Sequence, residues 1–93
     1  MNDGKFQWDD KKASSNYAKH KISFEMACGA FSDPFFIDWL DDNENGCEQR
    51  FSMIGMSEER LLFIAYTLRN DCVRIISARR ATKIERRLYH GEN

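Results

Sequence analysis

Arg79, Arg80 and Lys83 crowd around a single helix start, and that crowding is the first chemical signal in this 93-residue chain. Thr82 and Glu85 stand three apart, the spacing of a capping box, so the three cations gather at the positive end of a helix dipole. Each is disfavoured there by about 0.3–1 kcal/mol in an exposed setting. A bound anion would relieve all three together. Backbone amides at a helix start and the forked donors of guanidinium both suit phosphate oxygens. The competing reading is that these arginines pair with acidic residues in the middle of the same chain.

His20 is the second signal. It is one of only two histidines, follows Lys19 and closes a helix. Imidazole changes charge near neutral pH, which suits general acid or base work on a 2′-hydroxyl or a leaving 5′-oxygen. A histidine at a helix carboxy terminus is equally well explained by the dipole alone. Arg86 and Tyr89, three apart on the last helix, can reach the same pocket, and Glu85 already has a role as capping partner. Glu48 and Arg50 share a strand face and can pair with each other. If the bound anion were the phosphate beside a 2′-hydroxyl, attack by that hydroxyl would need a base, cations for the crowded phosphate and an acid for the leaving oxygen. The arginines fill the second role; His20 leads for the other two, with Lys19, Tyr89 or Glu48 as alternatives.

Composition bounds these readings. The chain is 42% hydrophobic with a net charge of −1, enough for one modest core and hence a single domain over residues 1–93. The net charge conceals a split. Residues 1–32 hold five lysines and four acids, residues 33–59 eight acids against Arg50, and residues 60–93 eight arginines and lysines against three acids. A basic tail of this density is expected of an anion-binding face, or of a solvated helix surface. Cys28, Cys47 and Cys72 are odd in number and form no CxxC pair, so neither a disulfide framework nor a zinc site is expected. No apolar run approaches a membrane span and residues 1–10 are polar, which predicts a cytoplasmic protein.

The elements that must position these side chains follow from caps and periodicity. Phe6 and Trp8 form a short strand-like entry, Asp9 caps a helix to about Lys19, and Ser23 starts a second helix carrying Phe24, Ala27, Cys28 and Phe31, ended by Pro34. Phe35–Leu40 reads as an edge strand and residues 41–46 as a polar loop. Arg50–Met56, Leu61–Arg69 and Cys72–Arg79 then form an antiparallel meander, with only Asn70 and Asp71 between the last two strands. Period-two geometry puts Val73, Ile75, Ser77 and Arg79 on one face of the last strand, and Arg74 with Ile76 on the other. Ile84 and Leu88 share a face of the closing helix. The expected fold is α+β: an antiparallel sheet of about four strands packed against two amino-terminal helices and one carboxy-terminal helix.

The run from Arg74 to Tyr89, RIISARRATKIERRLY, resembles the closing signature of the BrnT family, toxins of the BrnT–BrnA toxin–antitoxin systems. Phe6-Gln-Trp-Asp9, Asn16, Lys19-His20, Ser23-Phe-Glu25, Asp33-Pro34, Glu48-Gln-Arg50-Phe51, Ile54-Gly55 and Tyr66-Thr67 agree in order, so the resemblance covers nearly the whole chain. It implies a RelE-like fold, a ribonuclease that stops translation, no metal or other cofactor, and neutralisation by a BrnA antitoxin that alone contacts operator DNA. The expected assembly is a hetero-oligomer of two toxins and an antitoxin dimer. Carried onto this sequence, the family's polar pattern lands on Lys19, His20, Arg50, Ser77, Arg79, Arg80, Glu85, Arg86 and Tyr89, without assigning their roles. Residue chemistry makes His20, Lys19, Arg79, Arg80 and Tyr89 the catalytic candidates, and Arg50, Arg74, Ser77 and Arg86 the phosphate-binding ones. Lys21 departs from the glycine often found after the histidine, and Met26 from a second glutamate. The rival readings are a module that binds nucleic acid or a partner without turnover, and an adaptor whose basic helix docks an acidic protein.

Overall fold

Asp9 opens helix α1 (Asp10–His20) by accepting the amides of Lys11 at 2.8 Å and Lys12 at 3.2 Å, as an N-cap should. The structure is a computed structural model that describes residues 5–41 and 49–91; Cys47, Glu48 and the loop expected after Asp41 lie outside them. Ahead of α1 stands a two-residue strand, β1 (Phe6–Gln7). Helix α2 (Phe24–Ala30) is capped by the Ser23 hydroxyl and ends at Ala30, short of Pro34. Strands β2 (Ile37–Asp41), β3 (Arg50–Ser57), β4 (Arg60–Arg69) and β5 (Cys72–Arg80) follow, then α3 (Lys83–His90).

The meander forms as its short connections require. Glu58-Glu59 and Asn70-Asp71 each make a two-residue turn with both φ angles positive, the geometry that matches strand twist. The sheet runs β1-β5-β4-β3-β2, which puts β2 at an edge as its sequence suggests. Among the described residues it has five strands and is mixed. This corrects the expectation of about four antiparallel strands, because β1 joins β5 in parallel, pairing Phe6 with Val73 and Gln7 with Arg74. Two residues are too few to show a period, and their partners lie 67 positions away.

One face of the sheet carries the core. Met53, Leu62, Ile64, Tyr66, Ile75 and Ala78 pack under Trp8, Ile22, Phe24, Ala27 and Ala30, all buried. A Cβ on Gly55 would meet the Ala30 carbonyl oxygen at 2.8 Å, so glycine is what lets α2 lie flat on β3. The opposite face is different. Helix α3 stands at one end of it and buries no residue of its own, with Ile84 70% and Leu88 53% exposed. Helix α3 thus meets the sheet as expected, at β3 and β5, but its apolar stripe points outward and polar contacts hold it.

A bulge on β5 corrects the face assignment as well. Ala65 pairs with Ser77 but Tyr66 pairs with Ile75, leaving Ile76 as an extra residue. Period-two alternation resets there. Val73, Ile75 and Ala78 face the core, while Arg74, Ser77 and Arg79 come together on the opposite face.

Candidate nucleic-acid interface

Helical spacing places Lys11, Ser15 and Lys19 in one row of α1 and Lys12, Asn16 and His20 in the next. Those two rows face β5. Asn16 is buried and fastens them: its side-chain amide donates to the Ala78 carbonyl at 2.8 Å and the Ile22 carbonyl at 3.0 Å, and its oxygen accepts the Ala78 amide at 3.1 Å. A side chain thus continues the pairing of β5 where β1 has ended. Satisfying both backbone groups of Ala78 this way avoids the cost of an orphaned buried amide, about 1–3 kcal/mol.

Between α1 and β5 lies a cleft of about 350 Å³ lined by Lys11, Lys12, Ser15, Asn16, Lys19, His20, Ile76 and Ser77. Among the described residues, no carboxylate lines it. Three lysines and a histidine share a space with two hydroxyls and an amide, a lining that suits a phosphate diester. Lys21, just past His20, takes a left-handed conformation at φ 60 and donates its amide to the Tyr17 carbonyl at 2.8 Å. That conformation favours glycine, so the turn after His20 survives the lysine at a modest strain.

The β5–α3 junction has another character. Thr82 and Glu85 form the capping box, and Glu85 also takes Arg79 in a two-point pair, Nη1 to Oε1 and Nη2 to Oε2, each at 2.8 Å. The Arg79 guanidinium lies 4.3 Å over the Phe63 ring and donates to the Arg80 carbonyl at 3.1 Å. Hydrogen bonding to Glu85 raises the Arg79 pKa further. Burial alone would raise Glu85, but the guanidinium and the Thr82 amide outweigh it and hold the carboxyl below its usual range. Arg79 thus pairs within the tail rather than with the acidic middle of the chain.

Tyr89 is similarly engaged. Its hydroxyl donates to Asp33 Oδ2 at 2.5 Å, and that carboxylate also accepts the amides of Phe35 and Met56. Burial and the Asp33 hydrogen bond push Tyr89 up to about 12. Burial would raise Asp33, yet its three donors hold it below the usual carboxylate range.

The structure therefore divides the candidates. Lys19, His20 and Ser77 meet in the α1–β5 cleft, whereas Arg79 and Tyr89 are tied to Glu85 and Asp33. Arg80 and Arg86 are exposed near the junction and line no part of the cleft. Arg50 and Arg74 lie on β3 and β5, on the face opposite the core. Sequence reading passed over Lys11, Lys12, Ser15 and Asn16 as cleft residues, although their i, i+4 spacing with Lys19 and His20 was a usable signal. Among the described residues, no three His, Cys, Asp or Glu side chains gather as a metal cluster, and no helix is long and apolar enough to cross a membrane.

Among the described residues the chain forms three helices and a five-stranded sheet of α+β class, with a cationic cleft free of carboxylates between α1 and β5. Residues 8–85 match the model of one protein family, described as the ribonuclease toxin, BrnT, of type II toxin–antitoxin systems. The chain belongs to that family. A search of curated proteins finds no match. Type II systems pair such a toxin with an antitoxin, so a partner protein follows from membership; Arg86 and Tyr89 lie beyond the matched segment.

Proposed function

We propose that this toxin is an endoribonuclease that cuts RNA without a metal in the α1–β5 cleft. The convergence of His20, Lys19 and Ser77 with Lys11 and Lys12 in one carboxylate-free space carries the reading. In it, lysine ammonium groups hold the scissile phosphate. His20 takes the proton from the 2′-hydroxyl as that oxygen attacks phosphorus, or gives one to the leaving 5′-oxygen. The P–O5′ bond breaks as the P–O2′ bond forms. The products are a 2′,3′-cyclic phosphate and a 5′-hydroxyl. Arg79 and Tyr89 act at one remove, by holding α3 in place, and Arg80 and Arg86 extend the basic surface that approaching RNA meets.

Cleavage of RNA in the cytoplasm stops translation, so the host must hold the toxin inactive. A BrnA-type antitoxin does so in an assembly of two toxins and an antitoxin dimer, with operator DNA contacted only through the antitoxin. The outward stripe of Ile84 and Leu88 and the edge strand β2, with exposed Trp39 and Leu40, supply apolar contacts for it.

Purified protein incubated with a defined RNA in EDTA is expected to yield cut fragments ending in 2′,3′-cyclic phosphate or 3′-phosphate. Fragments with 5′-phosphate, or cleavage that returns only with added Mg²⁺, would overturn the metal-free reading. RNA retained but never cut would favour a binding module instead.

A further inference from the structure

Thr67 is only 4% exposed, and its Oγ1 is a buried side-chain polar atom with no hydrogen-bond partner among the described residues. A buried hydroxyl left unpaired is unfavourable by about 1–3 kcal/mol, and native chains rarely keep one without a use for it. Its neighbours are informative. In the sheet register Thr67 stands opposite Arg50 on β3 and opposite Arg74 on β5, and the same row ends in Asp41 and Gln7. All five side chains lie on the face opposite the core. Adjacent strands are about 4.8 Å apart, so the two arginine Cα atoms stand roughly 10 Å apart with the threonine between them.

The ends of the row are already engaged. Gln7 Oε1 accepts from Arg74 Nη1 at 2.9 Å and steers that guanidinium without neutralising it, while the Asp41 carboxylate accepts the Ser52 hydroxyl. Arg50 is exposed and Arg74 half-buried, and neither has an ion-pair partner among the described residues. Asp9, an exposed N-cap, is the acid whose charge Arg74 feels. Asp41 stands opposite Arg50 in the register, but neither guanidinium makes an ion pair among the described residues, and two such forks on either side of a hydroxyl donor describe a receptor for one tetrahedral anion. Because of the bulge, Arg74 lies three residues before Ser77 on the same face, which puts this row beside the α1–β5 cleft.

We infer that Arg50, Thr67 and Arg74 form a subsite for a second phosphate of the RNA strand, next to the phosphate held in the cleft. The inference rests on the ribonuclease reading for the identity of its ligand. The two arginines close on the phosphate from either side, and Thr67 donates its hydroxyl from the floor of the sheet. Such a subsite fixes the direction in which the strand crosses β5, and hence which bond reaches His20.

The test uses the full chain and a fluorescein-labelled, 2′-O-methylated single-stranded RNA, which binds but cannot be cut, read by anisotropy. Thr67→Val keeps the branched shape and removes the unpaired hydroxyl, so the fold holds while the probe binds roughly tenfold more weakly. Arg50→Gln and Arg74→Gln each weaken binding by a similar factor and flatten the logarithmic salt dependence by about 0.7. Arg60→Gln, at the start of β4, leaves both unchanged. Wild-type affinity and salt slope in all three subsite variants would overturn the inference, and the arginine variants carry the test if Thr67→Val misfolds. If the native chain binds the probe with these losses yet never cuts unmodified RNA, the cleavage reading fails and the subsite stands. Cutting with unaltered binding in the variants means the reverse.

Discussion

The α1–β5 cleft and the β5–α3 junction both concentrate positive charge, and they differ in what surrounds it. Lys11, Lys12, Lys19 and His20 face a space lined by hydroxyls, an amide and one isoleucine, with no carboxylate among the described residues. Arg79 lies two residues beyond Ser77 on the same strand, yet its guanidinium has a two-point pair with Glu85, a carbonyl and a phenyl ring. A cation with its donors committed stabilises a fold. One left without an acid raises the local potential and waits for an anion. Position at a helix start, which makes Arg79 and Arg80 conspicuous in the sequence, is thus a weaker guide to ligand binding than the absence of a neighbouring carboxylate.

The largest effect that can break this contrast is expected at His20. His20→Ala should lower RNA cleavage by about 10²–10⁴-fold, the usual contribution of a placed acid or base, while the thermal midpoint stays near that of the native chain. Full cleavage activity in this variant would remove the cleft from consideration.

Next in size is the junction pair. Arg79→Ala and Glu85→Gln should each cost stability, toward the lower end of about 1.5–3 kcal/mol because the Arg79 side chain is 34% exposed. The double variant should cost little more than either single change. Denaturant titration of the three proteins decides it, with cleavage measured on whatever fraction remains folded. If Arg79→Ala keeps its stability and loses cleavage as completely as His20→Ala, the two regions are one site and the contrast is wrong.

The latch between Tyr89 and Asp33 sharpens the same contrast through pH. Asp33 and Glu85 are both held below the ordinary carboxylate range, so their stabilisation is present above about pH 4 and lost as pH falls through the folded values. Tyr89 is raised to about 12, so its contribution is full below about pH 10 and fades as pH rises through 12. Tyr89→Phe should cost about 1 kcal/mol at neutral pH and remove the alkaline loss. An unchanged pH profile, or unchanged amide exchange in α3, would show that the latch holds nothing.

The smallest effect belongs to Lys21. Replacing it with glycine relieves the left-handed strain and should stabilise by about 0.5 kcal/mol, since glycine's greater freedom in the unfolded chain offsets part of the relief. Lys21 does not line the cleft, so cleavage should not change. A fall in activity would mean that the turn after His20 positions the imidazole.

Local rules carried much of the fold. Asp9, Ser23 and the Thr82–Glu85 pair start the three helices as their spacing predicts, and the two-residue Asn70-Asp71 turn joins the last strands. Each depends on residues two to four apart, and such contacts form wherever the segment lies. The grouping of Lys19 and His20 was legible for the same reason. The parallel pairing of β1, the Asn16 clasp on Ala78 and the Tyr89–Asp33 latch join residues 56 to 67 positions apart, beyond any periodic pattern.

Sequence alone determined which residue types are present and where each element begins. Tertiary structure decided which cations stay free. The bulge at Ile76 is the clearest case: one extra residue in β5 turns Ser77 and Arg79 onto the face of Arg74, because side chains alternate with a period of two and a single insertion inverts every assignment beyond it. Whether a strand accommodates such an insertion depends on what its neighbours offer at that point. Here Asn16, from a helix 62 positions earlier, satisfies the backbone of Ala78 beside the bulge and closes the wall of the cleft in the same contact.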